Sequence, residues 1–232
     1  MIKKWNLNVK HHANVNDDIV GRHKQFLTAL KGLGKPWEIP TNKSSEAKPV
    51  RPGELCEVVQ LGSVLPGKMK GHIVYPVRVR PYIDDQDDIL NIEFNLNDVN
   101  FHVFATQIFT HYVAAFEAYR AELYFDAASI IDYPEIQKIF FDTGKNLNSR
   151  DGIYRIGSLG YYSDELCKKS FGLSSKEVVK RLKGSVEDVY EHHDGVIIIY
   201  SSKPVDEETY FKIDNELRPL LSKKKSLLGF KI

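Results

Sequence analysis

Four carboxylates fall within five residues, at Asp84, Asp85, Asp87 and Asp88. Such a cluster could gather oxygens around a hard cation, but the glycine and distal glutamate of an EF-hand loop are missing. The run is therefore expected to be a solvated acidic turn between strands, and a patch suited to a basic protein partner. His11-His12 and His192-His193 are adjacent pairs, and neighbours on a strand point to opposite faces, so neither pair chelates a metal unaided. No metal and no cofactor are expected. Cys167 stands beside Lys168 and Lys169, where a thiolate could gain stability, although a lone helical cysteine is usually packed and inert. Gly157-Ser158-Leu159-Gly160 lacks the spacing of a nucleophile elbow, and no glycine-rich phosphate loop occurs.

The stretch from Ser163 to Gly184 comes close to a DNA-reading helix-turn-helix. Gly172 supplies the turn, and Ser174-x-x-Glu177 has capping-box spacing for a second helix. The small residue that lets two such helices close up belongs four positions before the glycine. That position holds Lys168, and the small Cys167 lies one place too early. Lys169, Lys176, Lys180 and Arg181 would supply phosphate contacts in a DNA-binding alternative. The simpler reading is a helix pair with a solvated basic face crossing a sheet.

Charge composition argues against nucleic acid as the main partner. With 32 lysines and arginines against 31 aspartates and glutamates in 232 residues, no global field steers the chain toward polyanions or anionic lipid. Two widely separated cysteines, Cys56 and Cys167, fit a reducing cytoplasm. The opening residues carry no apolar run after Lys3 and Lys4, and no stretch has the length of a membrane span. The tail from Lys223 to Phe230 joins charge to apolar residues, a pattern compatible with membrane-surface contact, but its eight residues are too few for stable anchoring and a frayed or docked end is expected.

The elements that must position any site follow from periodicity. Trp5, Leu7 and Val9 alternate as a first strand, and Asp17 and Asp18 open a helix carrying Ile19, Phe26, Leu27, Leu30 and Leu33. Leu55–Leu61, Ile73–Arg80 and Ile89–Leu96 read as an antiparallel meander, with Pro76 placing the middle strand at an edge or a bulge. Phe101 to Phe125 is expected to be one long helix and the spine of the fold. A shorter helical piece follows around Pro134–Phe140, then a strand over Ile153–Tyr162 and the helix pair. A hairpin turning at Asp194-Gly195 and a last helix burying Tyr210, Ile213, Leu217 and Leu221 complete the chain. The expected class is α+β, mostly antiparallel sheet packed against helices, in a single domain 1–232. Halves 1–125 and 150–232 can each be read as strand, helix, strands, helix.

Ala114-Ala115-Phe116-Glu117-Ala118-Tyr119, Arg155-Ile156, Tyr161-Tyr162-Ser163 and Gly195-Val196-Ile197 together resemble bacterial immunity proteins that neutralise polymorphic or contact-delivered toxins. The resemblance is of style across Phe101–Leu221 and carries no residue roles. It implies a non-enzymatic, cytoplasmic protein-binding module whose partner is a toxin, blocked by covering its active site. Asp84, Asp85, Asp87 and Asp88 would face a basic nuclease. Independently of the resemblance, Trp37, Tyr82, Tyr133, Tyr161 and Tyr162 stand near loops, where they suit interface anchors and are equally at home in an aromatic core. The remaining alternative, an enzyme without a recognisable motif, predicts a deep cleft with convergent carboxylates or a histidine of shifted pKa.

Overall fold

Alternation in the first strand organises the molecule. In β1 (Lys4–His12), Trp5, Leu7 and Val9 point to one face and Asn6, Asn8 and Lys10 to the other. A computed structural model describes residues 4–42, 45–62, 65, 68–80 and 82–222; the side chains of Tyr82 and Asp84 and the tail Lys223–Phe230 lie outside the described residues. After α1 (Ile19–Ala29) come β2 (Cys56–Gln60), β3 (Lys70–Pro76) and β4 (Asp87–Asn95). Next are α2 (Phe101–Val103), a π-helical segment Phe104–Ile108, α3 (Phe109–Ala115), β5 (Arg120–Phe125) and α4 (Asp126–Thr143). The chain ends with β6 (Leu159–Ser163), α5 (Asp164–Phe171), α6 (Ser175–Leu182), β7 (Asp188–His192), β8 (Gly195–Ile199) and α7 (Glu207–Leu221).

The strands form one eight-stranded antiparallel sheet in the order β2-β3-β4-β1-β5-β6-β8-β7. The class is α+β, as expected from the patterning. Leu7 pairs with Ile92 on one side and Leu123 on the other, so the apolar face of β1 continues across β4 and β5. That face packs against Phe26 and Leu27 of α1, Trp37, Phe104 and Tyr112. Trp37 stacks on Phe104 at 4.6 Å and receives the Tyr112 hydroxyl on its carbonyl at 2.6 Å, so it is a core residue. Each large side chain fully buried here contributes about 1.5–3 kcal/mol of transfer free energy.

A second core occupies the opposite face of the other half of the sheet. Tyr161 and Ile197 belong to the first core, while their strand neighbours Tyr162, Val196 and Ile198 pack with Leu166, Val178, Leu182, Ile213 and Leu217 of α5, α6 and α7. The opposite face of β4, β1 and β5 is left polar, floored by Asn8, Lys10, Asn91, Arg120 and Glu122.

Several boundaries differ from expectation for physical reasons. The long helix stops at Phe116, because Glu117 takes φ 51° and the chain re-enters the sheet as β5. Ala121, Leu123 and Phe125 fit a strand's alternation as well as part of a helix's period, and pairing with β1 and β6 decides between them. The hairpin turns one residue early, at His193-Asp194, with His193 at φ 49°. Gly195 is needed for packing instead: a Cβ there would lie 2.3 Å from the Tyr162 carbonyl oxygen. β3 is an interior strand, and its Pro76 falls past the last pair with β4, Val74–Ile89, so no ladder bond to β4 is lost. The expected strand over Ile153–Tyr162 is confined to β6, and the short helical piece near Pro134 is part of the eighteen-residue α4.

Candidate functional site

Helix α4 carries its apolar surface on the wrong side for a core helix. Asp126 sits in its first turn, favourable to the helix dipole, and Gly144 at φ 71° closes it with its N–H on the Phe140 carbonyl. The residues it buries are Ala128, Asp132 and Ile136, a narrow stripe of one turn spacing. At about 100° per residue, Ile130, Pro134 and Phe141 fall on the opposite side, with Tyr133 on its flank. Ile130 is 73% exposed and Phe141 79%, with Ile131, Tyr133 and Phe140 also exposed. Several large apolar side chains exposed on one helix are a mark of interaction sites.

Beneath α4 lies a cavity of 270 Å³ between the polar sheet face, the helix and residues 148–157. Arg120, only 2% exposed, grips Glu122 with both arms at 2.9 and 3.0 Å. Its Nη1 donates to the carbonyls of Leu147 at 2.8 Å, Ser149 at 3.3 Å and Gly152 at 2.8 Å, fastening the loop to the sheet. Arg155 holds Asp132 by two bonds of 2.6 Å, and Tyr162 donates to Glu122 at 2.9 Å. Carboxylates thus converge on the cleft, but each is neutralised by its own guanidinium. No histidine is among the described residues lining it.

Lys10 is the cation in this cleft without a carboxylate at ion-pair distance among the described residues; its ammonium donates to the Asn148 carbonyl. Burial, helped by the nearby Arg120 charge, pulls its pKa down to about 8. Between that value and the ordinary 10.5, unfolding takes up a proton, so this group makes stability rise with pH across that window and leaves its full penalty below it. Lys10→Met is therefore expected to gain ~1–3 kcal/mol at neutral pH and to flatten the rise between pH ~8 and ~10, read from urea midpoints.

The expected acidic patch is mostly dismantled by the fold. Asp87 and Asp88 are no solvated turn: they open β4, both buried, one toward each face. Asp87 accepts from Tyr119 at 2.7 Å, Ser149 at 2.5 Å and Arg150 at 2.8 Å. Asp88 is gripped by Arg78 at 2.7 and 2.8 Å with Arg22 at 3.5 Å, and burial still pushes its pKa up. Of the three aspartates whose side chains are described, only Asp85 is exposed; the side chains of Asp84 and Tyr82 lie outside the described residues. Tyr161 and Tyr162 are 0% exposed, donating to Asp194 and Glu122, so as sheet interior they present no surface to a partner.

His11, Asp17 and Asp88 place ligand atoms within 4.8 Å of one another. The guanidiniums of Arg22 and Arg78 already supply positive charge to Asp88 there. His12 stacks on Tyr119 at 3.9 Å, and burial pulls its pKa down to about 4, away from the cleft. Cys167 is buried and its thiol is pushed up to about 12, the inert case. His102 Nδ1 lies 3.0 Å from Ser202 Oγ, but that hydroxyl donates to Glu187, which ties a loop rather than activating a nucleophile.

The helix pair forms with Gly172 in the left-handed conformation and a complete capping box at Ser174 and Glu177. Of its basic residues, Lys169 pairs with Glu165 and donates to the Arg150 carbonyl, and Arg181 donates to the Leu220 and Ser222 carbonyls at the end of α7. Lys176 and Lys180 are exposed.

Sequence reasoning passed over the α4 surface and the cleft beneath it. A signal was present in the doublets Ile130-Ile131 and Phe140-Phe141, since adjacent helical residues cannot share one face. Of the near-loop aromatics whose side chains are described, Tyr133 is the one exposed on this surface.

No protein-family model matches the chain, and no curated protein matches it. Among solved structures the chain is similar to a Pseudomonas aeruginosa T6SS protein, PA0821, with a TM-score of 0.54 and 13% identity over 94% of this chain and 73% of that one. At that identity the likeness is one of fold. No helix among the described residues is long and apolar enough to cross a membrane.

Proposed function

We propose that this chain is a protein-binding module of the immunity type, docking a cognate toxin through the outward face of α4. The observation that carries the reading is the inverted helix: Ile130, Tyr133 and Phe141 are exposed while Asp132 is buried on the inner side. Aromatic and aliphatic anchors on a rigid helix are the usual centre of a protein interface. A fold shared with a T6SS protein is compatible with that context. Asp85, exposed just before β4, keeps the role of an acidic contact for a basic toxin surface. Inhibition then requires no catalytic residue of this chain, only coverage of the toxin's active site in the cytoplasm.

The reading is tested by tagging the protein in its native host and purifying it under mild conditions. One protein is expected in stoichiometric amount, and the purified chain should inhibit that protein's toxic activity at a one-to-one ratio. Recovery of the chain alone, repeated with crosslinking, would remove the proposal.

A further inference from the structure

We propose that the cleft beneath α4 binds a small amphipathic monocarboxylate, with the Lys10 ammonium holding the carboxylate and an apolar wall holding the remainder. This site does not depend on the protein-binding reading.

Much of the hydrogen-bonding capacity of the cleft is already used within the fold. Asn8 already donates to Asn91, Asn91 is bonded to His72, Ser129 donates to the Asp126 carbonyl and Tyr154 donates to Glu135. Arg120 and Arg155 are occupied by Glu122 and Asp132. An ammonium has three donors, and that of Lys10 has one of them on the Asn148 carbonyl. Its charge meets Asp87 and Glu122 only from beyond ion-pair distance, while burial disfavours it. A ligand carboxylate supplies the counter-charge that the fold withholds, in surroundings where charge attraction is stronger than in water.

The remainder of the cleft sets the ligand's character. Ile89, Ala128, Ile136 and Tyr210 line it, so a carboxylate with an apolar body leaves less surface in water than acetate does. The 270 Å³ volume equals that of about nine waters at ~30 Å³ each, room for an acid of benzoate size. One uncompensated cation matches one negative charge. A phosphate dianion would leave an unbalanced charge beside Glu122 and Asp132.

Competitive acetylation of the intact chain by acetic anhydride, read lysine by lysine by mass spectrometry, tests this with benzoate as the probe. At ~20 mM benzoate and constant ionic strength, labelling of Lys10 is expected to slow about five-fold, a millimolar Kd, while Lys176 and Lys180 are unchanged. Acetate should protect less, and phosphate no more than chloride. Equal labelling of Lys10 with and without benzoate, uniform slowing of all lysines, or protection by phosphate or acetate matching that of benzoate would overturn the assignment. Melting gives a second readout that needs no labelling: benzoate should raise the midpoint of the native chain and leave that of Lys10→Met unmoved, and an equal rise in both would place the ligand elsewhere.

Discussion

Glutamate placed at both Ile130 and Phe141 is expected to weaken partner binding by about 700-fold or more, from two lost anchors of roughly 2 kcal/mol each or more. Neither side chain contributes to the folded core, at 73% and 79% exposure, so the melting midpoint should stay within about 2 °C of the unsubstituted protein. A matched pair of changes on the solvated side of α6, Lys176→Glu with Lys180→Glu, should leave protein binding intact. Titration calorimetry with the co-purified partner separates the two surfaces. The same comparison addresses the DNA-binding alternative, because charge reversal on α6 would then be the damaging change and its effect would fall steeply with salt.

The largest expected stability loss comes from Arg120→Ala, at about 3–5 kcal/mol. This guanidinium, 2% exposed, answers Glu122 and three carbonyls of the 147–152 loop at once. Its removal strips Glu122 of its counter-charge, with only the Tyr162 hydroxyl left on it, and takes a donor from three main-chain carbonyls in a place that water reaches poorly, which costs more than the bonds themselves are worth. The loss should extend to Asp87, since Ser149 and Arg150 on the same loop bond to it. Arg120→Lys should recover only part of the stability, because a point charge cannot reproduce the planar fork. Arg155→Ala removes a pair that is partly open to solvent and should cost less. Guanidinium chloride midpoints give the ranking, and a loss below ~1 kcal/mol for Arg120→Ala would mean that the loop is held by other means.

The elements most legible in the sequence were those where local and global preferences agree. β1, β3 and β4 alternate over most of their length, the Ser174–Glu177 capping box fixes the start of α6, and the Tyr210, Ile213, Leu217 spacing identifies α7. β5 was hidden because Ala121 and Leu123 follow directly on a true helix whose period they partly continue. Asp87 and Asp88 looked solvated because their partners, Arg78, Tyr119, Ser149 and Arg150, are brought to them by other parts of the chain. Tyr161-Tyr162 could be read either as interface anchors or as core for a related reason: burial on both faces of a central strand leaves no alternation to read. α4 was hardest, since its apolar residues follow a surface rather than a core. Its inward stripe is polar at Asp132, so the usual signal of amphipathicity pointed nowhere.

Hydrogen exchange on the free chain and on its complex tests the central claim most directly. Slowed exchange and protection in the complex centred on residues 130–141 is the predicted result. Protection confined to 163–184 or to the outer strands, with α4 exchanging as in the free chain, would contradict it.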